Sequence, residues 1–213
     1  MSAPGRLVAL AAVLAVAAAG CGIDSDPEPR ALPISTTTST TTVPEQSGTE
    51  PTIIHFVQAE KLVPITREIP ARTPEAVMES LFAPPTPADG TGLSSAIPPS
   101  TEVLGLELTD GLLKVDLSEE FETVVGQVRS QAIGQIVLTQ TILPDVDRLS
   151  FSIDGDPLRV QSLDPDRGEV EVVEDCDFVE LLAEPDADTT RLTAQQQTIL
   201  AVQRDEMTER CDA

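Results

Sequence analysis

Short hydrophobic runs predict that ordered structure begins at about residue 53. Residues 53–57 (Ile-Ile-His-Phe-Val) favour a β-strand because they combine β-branched and aromatic side chains. Residues 62–69 form a second extended segment, in which Pro64 has no N–H to donate to a neighbouring strand. We therefore expect the second segment at the edge of a sheet.

Two β-hairpins are predicted farther along the chain. Their strand pairs are 103–108 with 112–117 and 146–153 with 158–163. Asp110 and Gly111 separate the first pair, and Asp-Gly between two alternating runs is a strong signal for a tight hairpin turn. The second pair turns at Asp154-Gly155-Asp156, so both hairpins carry acidic residues at their turns.

Thr73 and Pro74 predict the start of a helix, because Thr is a good N-cap residue and Pro suits the first helical position. Four apolar side chains then recur on one face until Pro84-Pro85 ends the helix; they are Val77, Met78, Leu81 and Phe82. A single apolar stripe of this kind indicates a helix that packs one face on a core.

Two further helices are predicted in the second half of the chain. One covers about 130–143 and ends before Pro144, and its inward-facing residues are Ile133, Ile136, Val137 and Leu143. The other covers about 193–207, and its apolar candidates are Leu192, Ile199, Leu200 and Val202. A linker rich in Pro, Gly and Ser, residues 83–100, connects the first helix to the first hairpin.

The first 20 residues have the pattern of an export signal: Arg6 supplies a positive charge, and residues 7–19 form an apolar run too short to span a membrane. The run ends at Ala18-Ala19-Gly20-Cys21, which resembles the lipobox of bacterial lipoproteins, with Ala18 where that pattern has Leu. The resemblance implies that residues 1–20 are removed, that Cys21 receives a diacylglycerol, and that an acyl chain such as palmitate is added to the new N-terminus. An ordinary signal peptide with a coincidental cysteine is the alternative.

Residues 21–52 are predicted to form a tether without a core. They contain a Thr-rich run at 36–42 and several prolines, and few side chains that could be buried. A coil of this length has a typical reach of about 30 Å. We expect it to hold the folded part away from the membrane, and its Thr-rich composition is compatible with glycosylation.

The charge of the chain limits the classes of partner. It has 36 acidic and 13 basic residues, a formal net charge of -23, and no Trp or Tyr. Such a charge repels the phosphate backbone of nucleic acids and anionic lipid head groups, and aromatic platforms for stacking bases or sugars are scarce. We therefore expect no nucleic-acid partner.

Cys176 and Cys211 are the two cysteines that remain once Cys21 is assigned to the lipid. An even number of cysteines in an oxidising compartment favours a disulfide, and two free thiols are the alternative. The bridge would close a loop of about 35 residues and contribute about 4 kcal/mol on a chain-entropy argument. The closed loop contains an acidic stretch and the predicted helix 193–207, and we expect the bridge to tie this part of the C-terminal extension (164–213) to the core.

Residue types suited to catalysis or metal binding are few. His55 is the only histidine, and a half-exposed position in a strand is more common than a catalytic or metal-binding role. Ser94 and Ser95 lie in the Gly- and Pro-rich linker and have no nucleophile-elbow pattern around them. We expect them to shape the loop.

Carboxylates near the ends of the predicted strands could form an acid-base pair or a hard-cation site; they are Asp110, Asp116, Asp154 and Asp156. The hairpin turns account for Asp110 and Asp154 without function. A calcium-loop pattern with a bidentate Glu is not present in the sequence. The sequence thus predicts no enzyme, no metal and no cofactor.

Several blocks in the middle of the chain resemble the GerMN domain, which is named for a spore-germination protein and found in lipoproteins of high-GC Gram-positive bacteria (actinobacteria). The blocks, in the order and approximate spacing of the family, are 62–70, 73–76, 92–99, 115–118 with Phe121, and 151–155. The resemblance implies an α+β fold, a small mixed sheet with two helices packed on one face, similar to ring-building modules. It implies no catalytic residues.

The predicted organisation is therefore a signal peptide (1–20), a tether (21–52), a GerMN domain (53–163) and a C-terminal helical extension (164–213). The favoured function is a lipid-anchored protein on the outer face of the cell membrane whose domain binds another protein, as a scaffold or regulator in a cell-envelope complex. Two alternatives stay open. One is a module that binds a small ligand or cell-wall component at residues 83–100, and the other is a hydrolase that uses paired carboxylates.

Overall fold

A computed structural model describes residues 48–185 and 192–211 of the chain. The predicted signal peptide, Cys21 and the tether as far as residue 47 lie outside the described residues. The first strand begins at Glu50, within the last three residues that were assigned to the tether. Within the described ranges, no helix has both the length and the apolar character needed to cross a membrane.

The described ranges contain strands and helices in the order of an α+β protein. The strands are β1 (Glu50–Gln58), β2 (Lys61–Ile69), β3 (Val103–Thr109), β4 (Leu112–Leu117), β5 (Arg148–Ile153), β6 (Asp156–Leu158), β7 (Val160–Gln161), β8 (Glu169–Val170) and β9 (Val172–Val173). The helices are α1 (Pro74–Phe82), α2 (Gly126–Gln140) and α3 (Ala194–Cys211), with 3-10 helices at Glu119–Thr123 and Asp175–Leu181. The predicted fold class, with its mixed sheet and C-terminal helix, is confirmed.

The main sheet has the strand order β3-β4-β5-β6, and β9 also pairs with β5. Strands β4 and β5 are parallel, because the chain crosses over through α2 before it re-enters the sheet. The other neighbours in this sheet are antiparallel. Strands β1 and β2 form a separate two-stranded ribbon, and so do β7 and β8.

Hairpin turns in the left-handed backbone region set the register of these strands. Asp110 and Gly111 have φ of 49° and 76°, as a type I′ turn requires. A Cβ on Gly111 would lie 2.1 Å from the Asp147 carboxylate, so a larger residue would displace that side chain in addition to straining the backbone. The β1–β2 turn uses Ala59 and Glu60, also at positive φ, and carries no sequence signal of a hairpin.

Helix α2 differs from its prediction at both ends. It begins at Gly126 instead of 130 and ends at Gln140 instead of 143. Leu143 is buried as predicted, but it lies in a tight turn in which its N–H bonds to the carbonyl of Gln140. Pro144 therefore marks the turn after the helix and not the helix end itself.

The last ten residues of α2 are buried on all sides, including four polar ones. Gln131 donates to the carbonyl of Glu60, and Gln140 donates to the carbonyl of Pro74. Gln135 accepts from the N–H of Ala96. Buried polar groups need such partners. The central helix thus supplies hydrogen bonds to the turns and loops around it.

Gly134 lies where α2 meets the 3-10 helix 175–181. A Cβ at this position would lie 2.6 Å from Leu181 Cδ1 and 3.1 Å from Phe178 Cδ1. We expect Gly134→Ala to lower the unfolding free energy by about 1 kcal/mol, because overpacking of about 1–3 kcal/mol exceeds the gain in helix propensity. Leu181→Val in the same chain should recover part of this loss in urea unfolding followed by circular dichroism. Independent, additive effects of the two changes would contradict the prediction.

The second hairpin is shorter than predicted. Its second strand, β6, ends at Leu158, and the next residues leave the sheet to form β7. The reason is a set of bonds to the 3-10 helix: Ser162 Oγ donates to the Asp177 carboxylate, and the N–H of Leu163 donates to the Asp177 carbonyl. Strand β9 takes the vacated position beside β5, with Val173 opposite Leu149.

Helix α3 begins as predicted and continues four residues past Met207, to Cys211. Thr193 forms a capping box with Gln196, since each side chain accepts from the other residue's backbone N–H. Leu200 and Met207 are buried, but Val202 is 53% exposed. The prediction that Val202 faces the core is therefore wrong, because residue 202 points to the opposite side of the helix from Leu200, which shares the buried face with Gln196 and Met207.

Candidate functional site

His55 is fully buried in the structure, and the expectation of a half-exposed histidine is wrong. Its Nε2 lies 3.1 Å from Gln203 Oε1, and its Nδ1 lies 3.3 Å from Thr139 Oγ1. Burial lowers the pKa of His55 to about 4, an effect that the hydrogen bond to Gln203 partly opposes. A neutral ring with Nε2 as donor and Nδ1 as acceptor fits both partners, and it fastens β1 to α2 and α3.

The strand-end carboxylates take part in turns. Asp110 and Asp154 occupy left-handed turn positions with φ of 49° and 48°. Asp116 Oδ1 accepts from Ser152 Oγ at 2.6 Å and from the N–H of Gly155 at 2.9 Å. Asp116 therefore holds the β5–β6 turn in place, and Asp156 is exposed at the start of β6.

The two serines of the 83–100 loop attach it to the fold. The backbone of Ser94 exchanges two hydrogen bonds with Val57, at 2.8 and 2.9 Å. Ser95 Oγ accepts from the N–H of Ile97 and from Gln135 Nε2. These bonds are those of loop-shaping residues.

Arg67 organises the same loop, and no local sequence signal identifies it. Its guanidinium forms a two-point ion pair with Asp89, with Nη2 to Oδ2 at 2.7 Å and Nε to Oδ1 at 3.1 Å. It also donates to the carbonyls of Ser80, Ala83 and Pro84. Its Cζ lies 4.8 Å from the centre of the Phe56 ring. The loop proposed as a ligand site is thus closed around a partly buried arginine.

Cys176 and Cys211 form a disulfide, with their Cα atoms 5.5 Å apart. It joins the 3-10 helix 175–181 to the last residue of α3. Asp175 pairs with Arg210 beside it, although burial raises the pKa of the Asp175 carboxyl. Asp175 and the two cysteines lie close enough together to bind a metal, but the thiols of both cysteines are bonded to each other in the disulfide.

Several grooves on the described surface expose apolar side chains, and two of them, neither within residues 83–100, border helices α3 and α1. The first has a volume of about 410 Å³ and runs between α3, Ile53 of β1 and Ile142 after α2. The second, which we call the β3–α1 groove, has a volume of about 640 Å³. Its lining residues are Glu75, Met78, Glu79, Phe82 and 102–106.

Comparison with known protein families decides the classification. Residues 42–159, more than half of the chain, match the family described as Germane, sporulation and spore germination. The chain belongs to this family. The predicted resemblance to GerMN domains is confirmed, and it covers nearly the range expected from the sequence blocks.

Similar solved structures include those of the Bacillus subtilis sporulation protein GerM. The tandem GerMN domains are 17% identical in sequence to this chain, with a TM-score of 0.45, and the match covers 62% of this chain and 47% of theirs. The first GerMN domain alone is 16% identical to this chain, with a TM-score of 0.45, and the match covers 59% of this chain and 96% of that domain. A Clostridium perfringens protein provisionally described as a lipoprotein is 18% identical with a TM-score of 0.40, covering 64% and 94%. No curated protein matches the chain. The chain spans about half of the length of the tandem-domain structure.

Proposed function

We propose that this Germane-family protein is a lipoprotein anchored through Cys21 to the outer face of the cell membrane, where its domain binds another envelope protein as a scaffold or regulator. The proposed mature chain begins at Cys21, after removal of residues 1–20. Residues 21 to about 49 then connect the lipid to β1.

The disulfide is the observation that carries this proposal. The chain has three cysteines, and the Cys176–Cys211 bridge uses two of them. Disulfides persist in oxidising compartments outside the cytosol. The remaining thiol, Cys21, directly follows a predicted export signal, where a lipidated cysteine is expected. Two or more acyl chains give stable membrane attachment.

A non-enzymatic role is supported by the partners of the polar residues. His55 is neutral at pH 7 and bonded to Thr139 and Gln203, and both it and the Thr139 hydroxyl are fully buried, so neither can reach a substrate. Asp116 is occupied by the turn that it orients. These groups therefore contribute to structure, and the exposed grooves are the parts of the described surface left for binding.

Cys21→Ala is expected to move the protein from the membrane fraction to the soluble fraction and to remove the lipid mass from the N-terminal peptide. Cell fractionation and mass spectrometry of the full chain in a bacterial host measure both effects. Ser25→Ala, four residues away in the same segment, is the matched control and should remain lipidated. An unmodified Cys21 in the wild-type protein would refute the anchoring.

A further inference from the structure

Strand β3 is the open edge of the main sheet. It lies at the end of the strand order, and within residues 48–185 and 192–211 no strand pairs with its outer side. Alternate residues of β3 thus present unpaired N–H and carbonyl groups to solvent, and the other residues bond to β4. Such an edge is a template for a further strand unless it is covered or protected by charges.

The leucines of β3 face the same side of the sheet as buried residues of β4. Leu106 lies opposite Val115, and Leu108 lies opposite Leu113. Val115 and Leu113 are buried, whereas Leu108 is 39% exposed and Leu104, beside the bulge near Val103, is 48% exposed. The apolar side of β4 is thus covered and that of β3 is not, so the apolar face of the sheet is left open at this edge.

The open face continues into the β3–α1 groove. Met78 and Phe82 of α1 form the apolar wall opposite β3, and Leu104 and Leu106 line the strand side. The groove extends along 102–106, which includes the first four of the seven residues of the strand. A strand added to β3 would place alternate side chains into this groove.

The charges around the groove are acidic. Glu75 and Glu79 on α1 and Glu102 before β3 line it, and no Lys or Arg does. Glu107, on the opposite face of the strand, pairs with Lys114 at 3.2 Å, so the acidic charge of the groove comes from the three glutamates that line it. An occupant with positive charge is therefore favoured over a neutral or acidic one.

We propose that an extended segment of a partner protein, with apolar side chains at alternate positions and a net positive charge, adds to the β3 edge. This inference rests on the protein-binding function proposed above and specifies its site and partner chemistry. Main-chain hydrogen bonds to β3 supply affinity, and the groove selects the apolar side chains. The glutamates attract the basic residues, whose long apolar stems pack along the groove rim.

Two other occupants fit the chemistry less well. A second copy would bring Glu102 and Glu107 near the same residues of its neighbour, and each chain carries a formal charge of -23. The N-terminal segment 22–47 of the same chain has one basic residue, Arg30, and four prolines, which cannot donate to a strand. Binding by either is an outcome that the experiment below detects.

A synthetic seven-residue peptide that alternates Lys with Leu, Val and Ile tests the proposal on the full-length protein in detergent. We expect hydrogen exchange at residues 103–109 to slow when it binds. A peptide of equal composition with its lysines and apolar residues in two blocks, and an alternating peptide with Glu for Lys, should not slow it. Leu104→Lys should weaken binding about tenfold, since it adds a like charge at an exposed position. Val202→Lys, equally exposed on α3, is the matched control.

Equal protection by the block or acidic peptide, or none by any peptide, would overturn the proposal. Slow hydrogen exchange at 103–109 in a dimer, before peptide is added, would assign the edge to a second copy of the chain. The same slow exchange in the monomer would assign it to segment 22–47. A photo-reactive residue at position 104 or 202 in the native host separates this inference from the proposed function. A partner protein crosslinked at 202 but not at 104 would leave the proposed function standing and refute the β3 site.

Cys21→Ala should not alter peptide binding, because the lipid anchor takes no part in the β3 site.

Discussion

Replacing Arg67 with Met is expected to lower the free energy of unfolding by about 2–3 kcal/mol, between the ~1 kcal/mol of an exposed ion pair and the ~3–5 kcal/mol for removing one partner of a fully buried pair. The side chains of Arg67 and Asp89 are 12% and 10% exposed, so the Asp89 carboxylate would remain largely buried without its cation. Three carbonyls of the α1 C-terminus and the following loop would also lose a donor. Met keeps the apolar stem beside Phe56, which confines the change to the charged group.

The same pair gives a pH dependence with a defined sign. The bond from the Arg67 guanidinium, helped by Thr86, holds the pKa of Asp89 at about 2, below the ordinary value of 3.8. A carboxyl whose folded pKa is lowered adds stability above its unfolded pKa, and this contribution disappears as the pH falls from 3.8 through about 2. The wild-type protein should lose this contribution in that window. The Arg67→Met variant should keep only the smaller part of it that the two Thr86 hydrogen bonds supply.

Urea unfolding at pH 7 and pH 3, followed by circular dichroism because the chain has no Trp or Tyr, measures both effects. The matched control is Arg159→Met. Arg159 pairs with Glu169 and Glu171 at the surface, with its side chain 55% exposed. We expect that variant to lose at most about 1 kcal/mol. Equal losses in the two variants would show that Arg67 does not organise the loop.

Local sequence signals sufficed for the elements that depend on neighbouring residues. Thr73 and Pro74 marked the start of α1, and the two Asp-Gly turns marked their hairpins correctly. These signals act within a few residues, so no tertiary information was needed to use them. The main-sheet hairpin β3–β4 therefore formed as predicted, turn included.

Features that depend on distant contacts were missed. His55 is buried because α3 covers it, and its partner Gln203 lies 148 residues away. Strand β9 has only two residues, too few to show a period, and it exists because β7 leaves the edge of β5. The β1–β2 turn carries no glycine, since the pairing of the two strands holds Ala59 and Glu60 at positive φ.

The candidate surface shows the same limit. Alternating leucines in β3 are typical of a strand whose one face is buried, and Leu106 and Leu108 do point to the buried side. Their exposure depends on where α1 packs, and α1 lies against α2, β1 and β2. The sequence alone predicts the Cys176–Cys211 disulfide, because two cysteines remain once Cys21 is assigned to the lipid. It does not predict the position of the β3–α1 groove.

Breaking the Cys176–Cys211 bridge is expected to lower the free energy of unfolding by about 4 kcal/mol. The closed loop spans 35 residues, and cross-linking a loop of this length lowers the conformational entropy of the unfolded chain by an amount that corresponds to this free energy. The effect should be strongest on α3, whose end the bridge holds. Loosening of α3 would uncover Leu200 and Met207 and take the Gln203 acceptor from His55. Hydrogen exchange in 194–211 should therefore quicken more than in β4 or β5.

Cys176→Ser and Cys211→Ser should match each other and the reduced wild-type protein, because all three lack the same bond. Cys21→Ala is the matched control, since it removes a thiol outside the bridge. Its unfolding midpoint should equal that of the wild-type protein without reductant and again with reductant. Thiol titration under denaturing conditions gives a second readout: the Cys21→Ala chain should show no free thiol before reduction and two after it. Two free thiols before reduction would refute the bridge, and with it the main support for an oxidising, extracytoplasmic location.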